Sequence, residues 1–151
     1  MTSDLAFAVV GCGRIGKRHA ELLSSGAVKG AYLAGVCDTD DERAAAFAST
    51  YGAPAFSHVK QLCESVEVDV ANVCTPSGNH AETASDLAHL GAHVVVEKPM
   101  ALTLEDADKM ISACAKNQVK LFVVKQNRFN LPIRRTREAV EAGRLGKMVM
   151  G

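Results

Sequence analysis

The sequence of 151 residues contains no tryptophan, only 5% aromatic residues and four prolines. Its 17 basic residues balance its 17 acidic residues, so no excess charge points to a nucleic acid or an anionic membrane surface. No apolar run approaches the roughly 20 residues that a membrane helix needs, and the first residues lack the pattern of a signal peptide. We therefore expect a cytoplasmic protein with no nucleic-acid partner and no membrane segment.

Cysteine occurs in a pattern that argues against a disulfide scaffold and against a zinc site. The five cysteines are odd in number, and none has the spacing C-x-x-C. Four of them lie in or beside segments that we predict as strands or helices, which favours reduced, buried thiols. We expect no metal site. With 48% hydrophobic residues, the chain has enough apolar material for the core of one domain.

Apolar runs alternate with helix-like stretches along the whole chain. The runs at 5–10 and 31–37 are short and continuous, as in parallel strands that are covered on both faces. This alternation predicts an α/β fold with a doubly wound, mostly parallel sheet and right-handed crossovers, that is, a Rossmann fold. We predict one domain over residues 1–143 and the start of a second domain over 144–151, where 148–150 would begin a strand.

A glycine-rich turn follows the first apolar run and reads G-x-G-x-x-G. Gly11 permits the tight turn, Gly13 lets the main chain approach a pyrophosphate, and Gly16 lets the next helix pack against the sheet. Arg14 and Ile15 begin that helix, where free N–H groups and the helix dipole favour an anion. We therefore predict that these five residues bind the phosphates of a dinucleotide and that residues 1–143 form a dinucleotide-binding domain.

An acidic residue, Asp38, ends the second predicted strand, 22 residues beyond Gly16. A carboxylate at this position can accept hydrogen bonds from the adenosine ribose hydroxyls, and it would repel a 2′-phosphate. NAD is therefore the predicted cofactor, and NADP is less favoured. The alternative is that Asp38 caps the next helix, for which Asp40 is the better candidate.

Three motifs in the chain resemble those of the Gfo/Idh/MocA oxidoreductases, the relatives of glucose–fructose oxidoreductase and inositol dehydrogenase. They are G-C-G-R-I-G-K-R-H from Gly11, C-T-P-S-G-N-H from Cys74 and V-V-V-E-K-P-M from Val94. The resemblance runs from about residue 5 to residue 151. It implies an NAD-dependent oxidoreductase that interconverts a secondary alcohol and a ketone on a sugar, cyclitol or nucleotide sugar.

The resemblance implies that Lys98 is the catalytic residue and lies beside the substrate hydroxyl that is oxidised. A lysine there could bond the reacting oxygen and assist proton removal while a hydride passes to the cofactor. The alternative is a surface lysine that is paired with Glu97. We expect Glu97 to contact the cofactor or to orient Lys98.

Other positions are assigned to the cofactor through the same resemblance. Thr75, Pro76, Asn79 and His80 would line the pyrophosphate and the nicotinamide ribose, and Gln126 would lie beside the nicotinamide. His80 could equally face solvent at the start of a helix.

Arg128 is implied as a substrate contact that could hold a carboxylate or phosphate bidentately. Its alternative is a solvated surface charge. The segment K-Q-N-R-F-N that contains it is similar to branches of the family that act on nucleotide-linked amino sugars.

Family members carry a second α/β domain that builds the substrate pocket, supplies a catalytic His and Asp and usually mediates oligomer contacts. That domain is missing from these 151 residues. We therefore expect a fragment of a longer, homo-oligomeric enzyme that is inactive by itself. The alternative is a standalone NAD(H)-binding module, regulatory or structural, without turnover.

Overall fold

A single parallel sheet organises residues 4–147 and 149, the part of the chain that the computed structural model describes. Within that part, six strands form the sheet: β1 (Leu5–Val10), β2 (Ala31–Cys37), β3 (Ala55–Phe56), β4 (Val70–Val73), β5 (His93–Val96) and β6 (Leu121–Val123). Their order across the sheet is β3-β2-β1-β4-β5-β6, and every neighbouring pair is parallel. The predicted Rossmann fold is confirmed.

In the described part of the chain, five helices connect consecutive strands and a sixth follows β6. They are α1 (Arg14–Ser24), α2 (Asp41–Tyr51), α3 (Val59–Ser65), α4 (His80–His89), α5 (Leu104–Lys116) and α6 (Leu131–Glu141). Two short 3-10 helices, at Ser77–Asn79 and Gln126–Phe129, follow β4 and β6. None of the described helices is long and apolar enough to cross a membrane.

The strand β1 is buried on both faces of the sheet, which explains its continuous apolar sequence. Ala8 belongs to one core together with Leu62, Leu87 and Met110, which come from α3, α4 and α5. Val9 belongs to a second core that is built with side chains of α1 and α2. Burial of each large side chain in these cores stabilises the fold by roughly 1.5–3 kcal/mol.

The direction of winding reverses at β1, and this reversal locates the ligand crevice. The chain passes from β1 to β2 and β3 at one edge, then returns to β4 and continues through β5 to β6. In such sheets the crevice lies outside the carboxyl ends of the two strands where the order reverses, here β1 and β4. The glycine-rich turn directly follows β1 at this point.

The last part of the chain differs from the compact core. Helix α6 has no buried residue. The predicted strand at 148–150 lies outside the described residues, apart from Val149, which has no regular structure. The boundary between two domains at residues 143 and 144 stays a prediction.

Candidate functional site

The glycine-rich turn is fixed by its neighbours in the sheet. The N–H of Gly11 donates to the carbonyl of Cys37 at 2.8 Å, and Gly11 has a φ of +98°. A Cβ on Gly11 would lie 2.6 Å from the carbonyl carbon of Cys74, and a Cβ on Gly16 would overlap the carbonyl oxygen of Gly11. Both positions are therefore restricted to glycine by main-chain atoms.

Gly13 differs from the other two glycines because a Cβ there would meet no atom of the described residues within 4 Å. It is the N-cap residue of α1, and no side chain in the described part of the chain caps this helix. Arg14 and Ile15 are exposed in the same first turn. An uncapped helix N-terminus behind an open glycine is suited to hold an anion through main-chain N–H groups.

Asp38 lies behind this turn and is 9% exposed. Its Oδ2 accepts from the N–H of Cys12 at 2.7 Å, and its Oδ1 accepts from the N–H of Asp40 at 3.0 Å. The N-cap of α2 is Asp40, whose side chain accepts from the N–H of Arg43. The alternative that Asp38 caps α2 is therefore wrong. A carboxylate has about four acceptor positions, so Asp38 retains some for ligand hydroxyls.

Arg43 is a site residue that the sequence did not reveal. Its guanidinium lies 2.9 Å from a carboxylate oxygen of Asp40 and 3.5 Å from Oδ2 of Asp38. The residue is about half exposed and lines the same cleft as Asp38. The only feature of the sequence that indicates the contact between Arg43 and Asp40 is that Arg43 lies three residues after this N-cap.

A cleft of about 400 Å³ opens between the ends of β1, β2 and β4. It brings together residues that the sequence analysis assigned to the cofactor from three separate segments: Gly11, Asp38, Thr75, Pro76 and Asn79. The size is suited to a part of a dinucleotide, because small-molecule sites occupy roughly 300–1,000 Å³.

Thr75 provides a test of whether this cleft fits a ligand. Its Oγ1 is buried and has no hydrogen-bond partner within the described part of the chain. A buried polar atom without a partner costs about 1–3 kcal/mol, and native structures contain few of them. An oxygen atom of a bound dinucleotide could accept a hydrogen bond from the Thr75 hydroxyl. The residues that line the cleft therefore fit such a cofactor.

His80 is 1% exposed, so the alternative that it faces solvent is wrong. Its Nδ1 lies 2.9 Å from the carbonyl oxygen of Pro99, and its Nε2 lies 2.9 Å from that of Thr75. A neutral imidazole can donate to one of these carbonyls and an imidazolium to both. The ring thus joins the segment after β4 to the segment after β5, and its contact with a cofactor stays a prediction.

Glu97 is 7% exposed and directly follows β5. Its Oε2 accepts from the main-chain N–H of Lys98 at 3.1 Å, and its Oε1 lies 3.1 Å from Nε2 of His19. Among the described ion pairs none joins the ammonium of Lys98 to Glu97, so the alternative of a surface pair between them is not supported. His19, which the sequence analysis did not assign to the site, is part of it.

Lys98 is exposed and lines a second cavity of about 430 Å³. This cavity joins three predicted residues, Lys98, Gln126 and Arg128, and adds Lys125 and Asn127, which the sequence analysis did not assign. With three cationic side chains and no acidic one in its lining, the cavity favours an anionic ligand group.

Burial keeps the cysteines near the cleft in the thiol form at neutral pH. Burial, reinforced by the charge of Asp38, raises the pKa of Cys12 and of Cys37 to about 12. Burial, reinforced by the charge of Glu97, raises the pKa of Cys74 to about 12. All five cysteines are free in the structure, and four of them are buried. No group of His, Cys, Asp and Glu side chains in the described residues could hold a metal ion.

Comparisons with known proteins agree with this geometry. The sequence profile of the family described as "Oxidoreductase family, NAD-binding Rossmann fold" (GFO_IDH_MocA) matches residues 5–125. The chain is 35% identical over 140 residues to the myo-inositol 2-dehydrogenase of Thermotoga maritima, covering 92% of this chain and 41% of that protein. It is 32% identical over 131 residues to the UDP-N-acetylglucosamine 3-dehydrogenase of Acidithiobacillus ferrooxidans, covering 87% and 40%.

A solved structure gives the same result. The WlbA dehydrogenase of Bordetella pertussis, crystallised in complex with NADH and UDP-GlcNAcA, superposes with a TM-score of 0.89 at 40% identity. The match covers 95% of this chain and 44% of that one, and the chain spans about two fifths of the length of the curated relatives named above. The chain belongs to the Gfo/Idh/MocA oxidoreductase family and carries its NAD-binding Rossmann fold.

Proposed function

We propose that these 151 residues are the cofactor-binding part of a dehydrogenase that interconverts a secondary alcohol and a ketone on a sugar, cyclitol or nucleotide sugar. In the oxidation direction, NAD would accept the hydride. The observation that carries the proposal is one cleft that is lined by the first glycine of the turn, Gly11, by the buried carboxylate of Asp38 and by Thr75 with its unsatisfied hydroxyl. The uncapped N-terminus of α1 follows the same turn, two residues after Gly11. Each of these features alone is common in proteins of other functions.

The cofactor would be held by main-chain groups and by two side chains. The first N–H groups of α1 and the open face of Gly13 would take the pyrophosphate. Asp38 would accept from the adenosine ribose, since its existing partners leave acceptor positions free. Thr75 would bond a cofactor oxygen through its buried hydroxyl. Glu97 is engaged by protein partners, so its proposed role is to orient Lys98.

Lys98 would hold the reacting oxygen and take part in proton transfer. Its ammonium group is in the exposed cavity after β5, whereas its main-chain N–H is fixed by Glu97. A fixed backbone with a free amine is the arrangement that a proton-transfer group needs, because the amine must reach the substrate while its origin stays in place.

The substrate class is supported by the charges of the cavity and by the relatives. Lys125 and Arg128 accompany Lys98, so an anionic substituent on the sugar would be bound favourably. One relative, a myo-inositol 2-dehydrogenase, is named for an uncharged cyclitol. The WlbA dehydrogenase was instead crystallised with UDP-GlcNAcA, which carries phosphate groups. The cationic lining favours a nucleotide sugar, and Arg128 would hold its phosphate or carboxylate. A homo-oligomeric assembly of the whole enzyme stays a prediction.

The experiment uses a protein of the relatives' length that carries these residues. Lys98→Met should abolish oxidation of a nucleotide sugar while the Kd for NADH changes less than about twofold. Lys125→Met removes another lysine from the same cavity. Because Lys125 is proposed to bind the substrate and not to transfer the proton, this variant should raise the KM for the nucleotide sugar and retain kcat. Turnover that survives Lys98→Met would contradict the catalytic assignment. Wild-type protein that binds NADH but oxidises no sugar, cyclitol or nucleotide sugar would favour a binding module instead.

A further inference from the structure

Glu97 is a buried carboxylate whose orientation is fixed by two other groups. A buried carboxylate is stable only when it is paired or hydrogen-bonded, because the loss of hydration is costly. Oε1 lies 3.1 Å from Nε2 of His19, and Oε2 accepts from the N–H of Lys98 at 3.1 Å. His19 therefore supplies the only side-chain partner of Glu97 among the hydrogen bonds and ion pairs of the described residues.

His19 comes from α1, the helix that begins at the glycine-rich turn, and is separated from Glu97 by 78 positions in sequence. The position of α1 on the sheet is restricted, since Gly16 packs so closely on the carbonyl of Gly11 that no Cβ fits between them. The imidazole is also mostly buried, with a side-chain exposure of 21%. The contact with Glu97 is thus made by a side chain on a rigid element.

The segment around Lys98 is held on both sides. Before it, Glu97 binds the main-chain N–H of Lys98. After it, His80 from α4 contacts the carbonyl of Pro99 at 2.9 Å. The lysine main chain is therefore fixed between two helices, while its side chain remains exposed.

We infer that His19 is a positioning residue that orients the Glu97 carboxylate and, through it, the main chain of Lys98. These contacts hold the main chain of Lys98 at a fixed position relative to α1, the helix that follows the glycine-rich turn. His19 itself contacts neither substrate nor cofactor in this role. The inference rests on the proposed function in that the lysine carries the proton-transfer step.

Two variants of His19 separate positioning from general stability. His19→Gln retains an N–H donor at about the reach of Nε2, whereas His19→Leu removes it and keeps an apolar body. In the ¹⁵N-labelled 151-residue chain, the Leu variant should move the amide resonance of Lys98 upfield and the Gln variant should leave it near the wild-type position. Glu97→Gln should also move the amide resonance of Lys98, because it changes the group that accepts the hydrogen bond from this N–H.

Turnover in a protein of the relatives' length gives a second readout. His19→Leu should lower the kcat of sugar oxidation about tenfold, because small misplacements of reacting groups are costly, while the KM for NAD changes less than about twofold. His19→Gln should recover at least about a third of the wild-type kcat. In the Glu97→Gln background, His19→Leu should have little further effect, since both changes interrupt one chain of contacts.

The outcomes separate the inference from the proposed function. An unmoved Lys98 amide in the folded Leu variant, or equal effects of Leu and Gln, would overturn the positioning role even if NADH binds and sugar is oxidised. A wild-type chain that fails to bind NADH would overturn the proposed function, and the amide measurement would still decide the role of His19.

Discussion

The substitution Gly16→Ala tests whether α1 is held as closely against the glycine-rich turn as the structure indicates. The new Cβ would overlap the carbonyl oxygen of Gly11 and lie 3.1 Å from its carbonyl carbon. These are main-chain atoms that cannot rotate away, so the helix or the turn has to move. Overpacking of this kind costs about 1–3 kcal/mol, and a clash with backbone belongs at the upper end of that range.

The higher helix propensity of alanine offsets this cost by about 1 kcal/mol, which leaves a net loss of about 2 kcal/mol. For a chain of this size, that loss corresponds to a decrease of roughly 4–8 °C in Tm. The assay is urea and thermal unfolding followed by circular dichroism. The matched control is Gly13→Ala, because a Cβ there would meet none of the described protein atoms within 4 Å and the φ of −87° suits alanine.

The control should unfold within about 0.5 kcal/mol of the wild type, since the weaker N-cap and the reduced freedom of the unfolded chain have opposite effects of similar size. It should nevertheless weaken NADH binding, because its methyl group projects into the space where the pyrophosphate would approach. A Gly16→Ala protein as stable as the wild type would refute the packing argument. Unchanged NADH affinity in the Gly13→Ala protein would refute the role of the open glycine.

Three further predictions concern the cleft. Asp38→Asn keeps an acceptor for the N–H of Cys12 but removes the negative charge, so the ratio of NADPH to NADH dissociation constants should fall on the order of tenfold; an unchanged ratio would remove the ribose assignment. Thr75→Val removes an unsatisfied buried hydroxyl, so the free energy of unfolding should stay the same or rise by up to about 1–3 kcal/mol while NADH binds more weakly; loss of stability would show a partner for the hydroxyl within the protein. Folding raises the pKa of three thiols from 9.0 to about 12, those of Cys12, Cys37 and Cys74. Between these two pH values the folded state keeps thiol protons that the unfolded state loses. Their contribution to stability is therefore complete below pH 9 and declines as the pH rises from 9 to 12, so the urea midpoint should fall over that range, and less steeply when the three are replaced by alanine.

The sequence was sufficient for the fold because its signals are local. Apolar runs and helix-like stretches are readable within ten residues, and Gly11, Gly13 and Gly16 occupy fixed positions relative to the first strand. The alternation of strands and helices then determined that the chain wraps both faces of a parallel sheet. The cap of α2 at Asp40 was likewise predictable, since capping depends on residues within one turn.

The contacts within the site were less predictable because they join distant segments. Nothing in the local sequence of His19 indicates a partner 78 positions away, and the residue resembles any packed histidine of an amphipathic helix. His80 could be assigned to a helix start, but its two carbonyl partners depend on how closely the ends of β4 and β5 approach. The unsatisfied hydroxyl of Thr75 is a property of burial, which no motif expresses.

The second cavity shows the same limit. Gln126 and Arg128 were assigned to the site by resemblance, whereas Lys125 and Asn127 were not, although all four belong to one segment after β6. The 3-10 turn over Gln126–Phe129 brings these neighbours to one surface, and such a turn has weak sequence signals. The charge of the cavity therefore became apparent only from the structure.

The central claim is that the cleft between β1, β2 and β4 binds NAD, and calorimetric titration of the 151-residue chain with NADH tests it most directly. NADPH is the matched ligand because it differs only by the 2′-phosphate that Asp38 would repel. We predict saturable binding of one NADH per chain, with a Kd for NADPH that is higher by about tenfold or more. No heat of binding for NADH, or equal affinity for both ligands, would contradict the account.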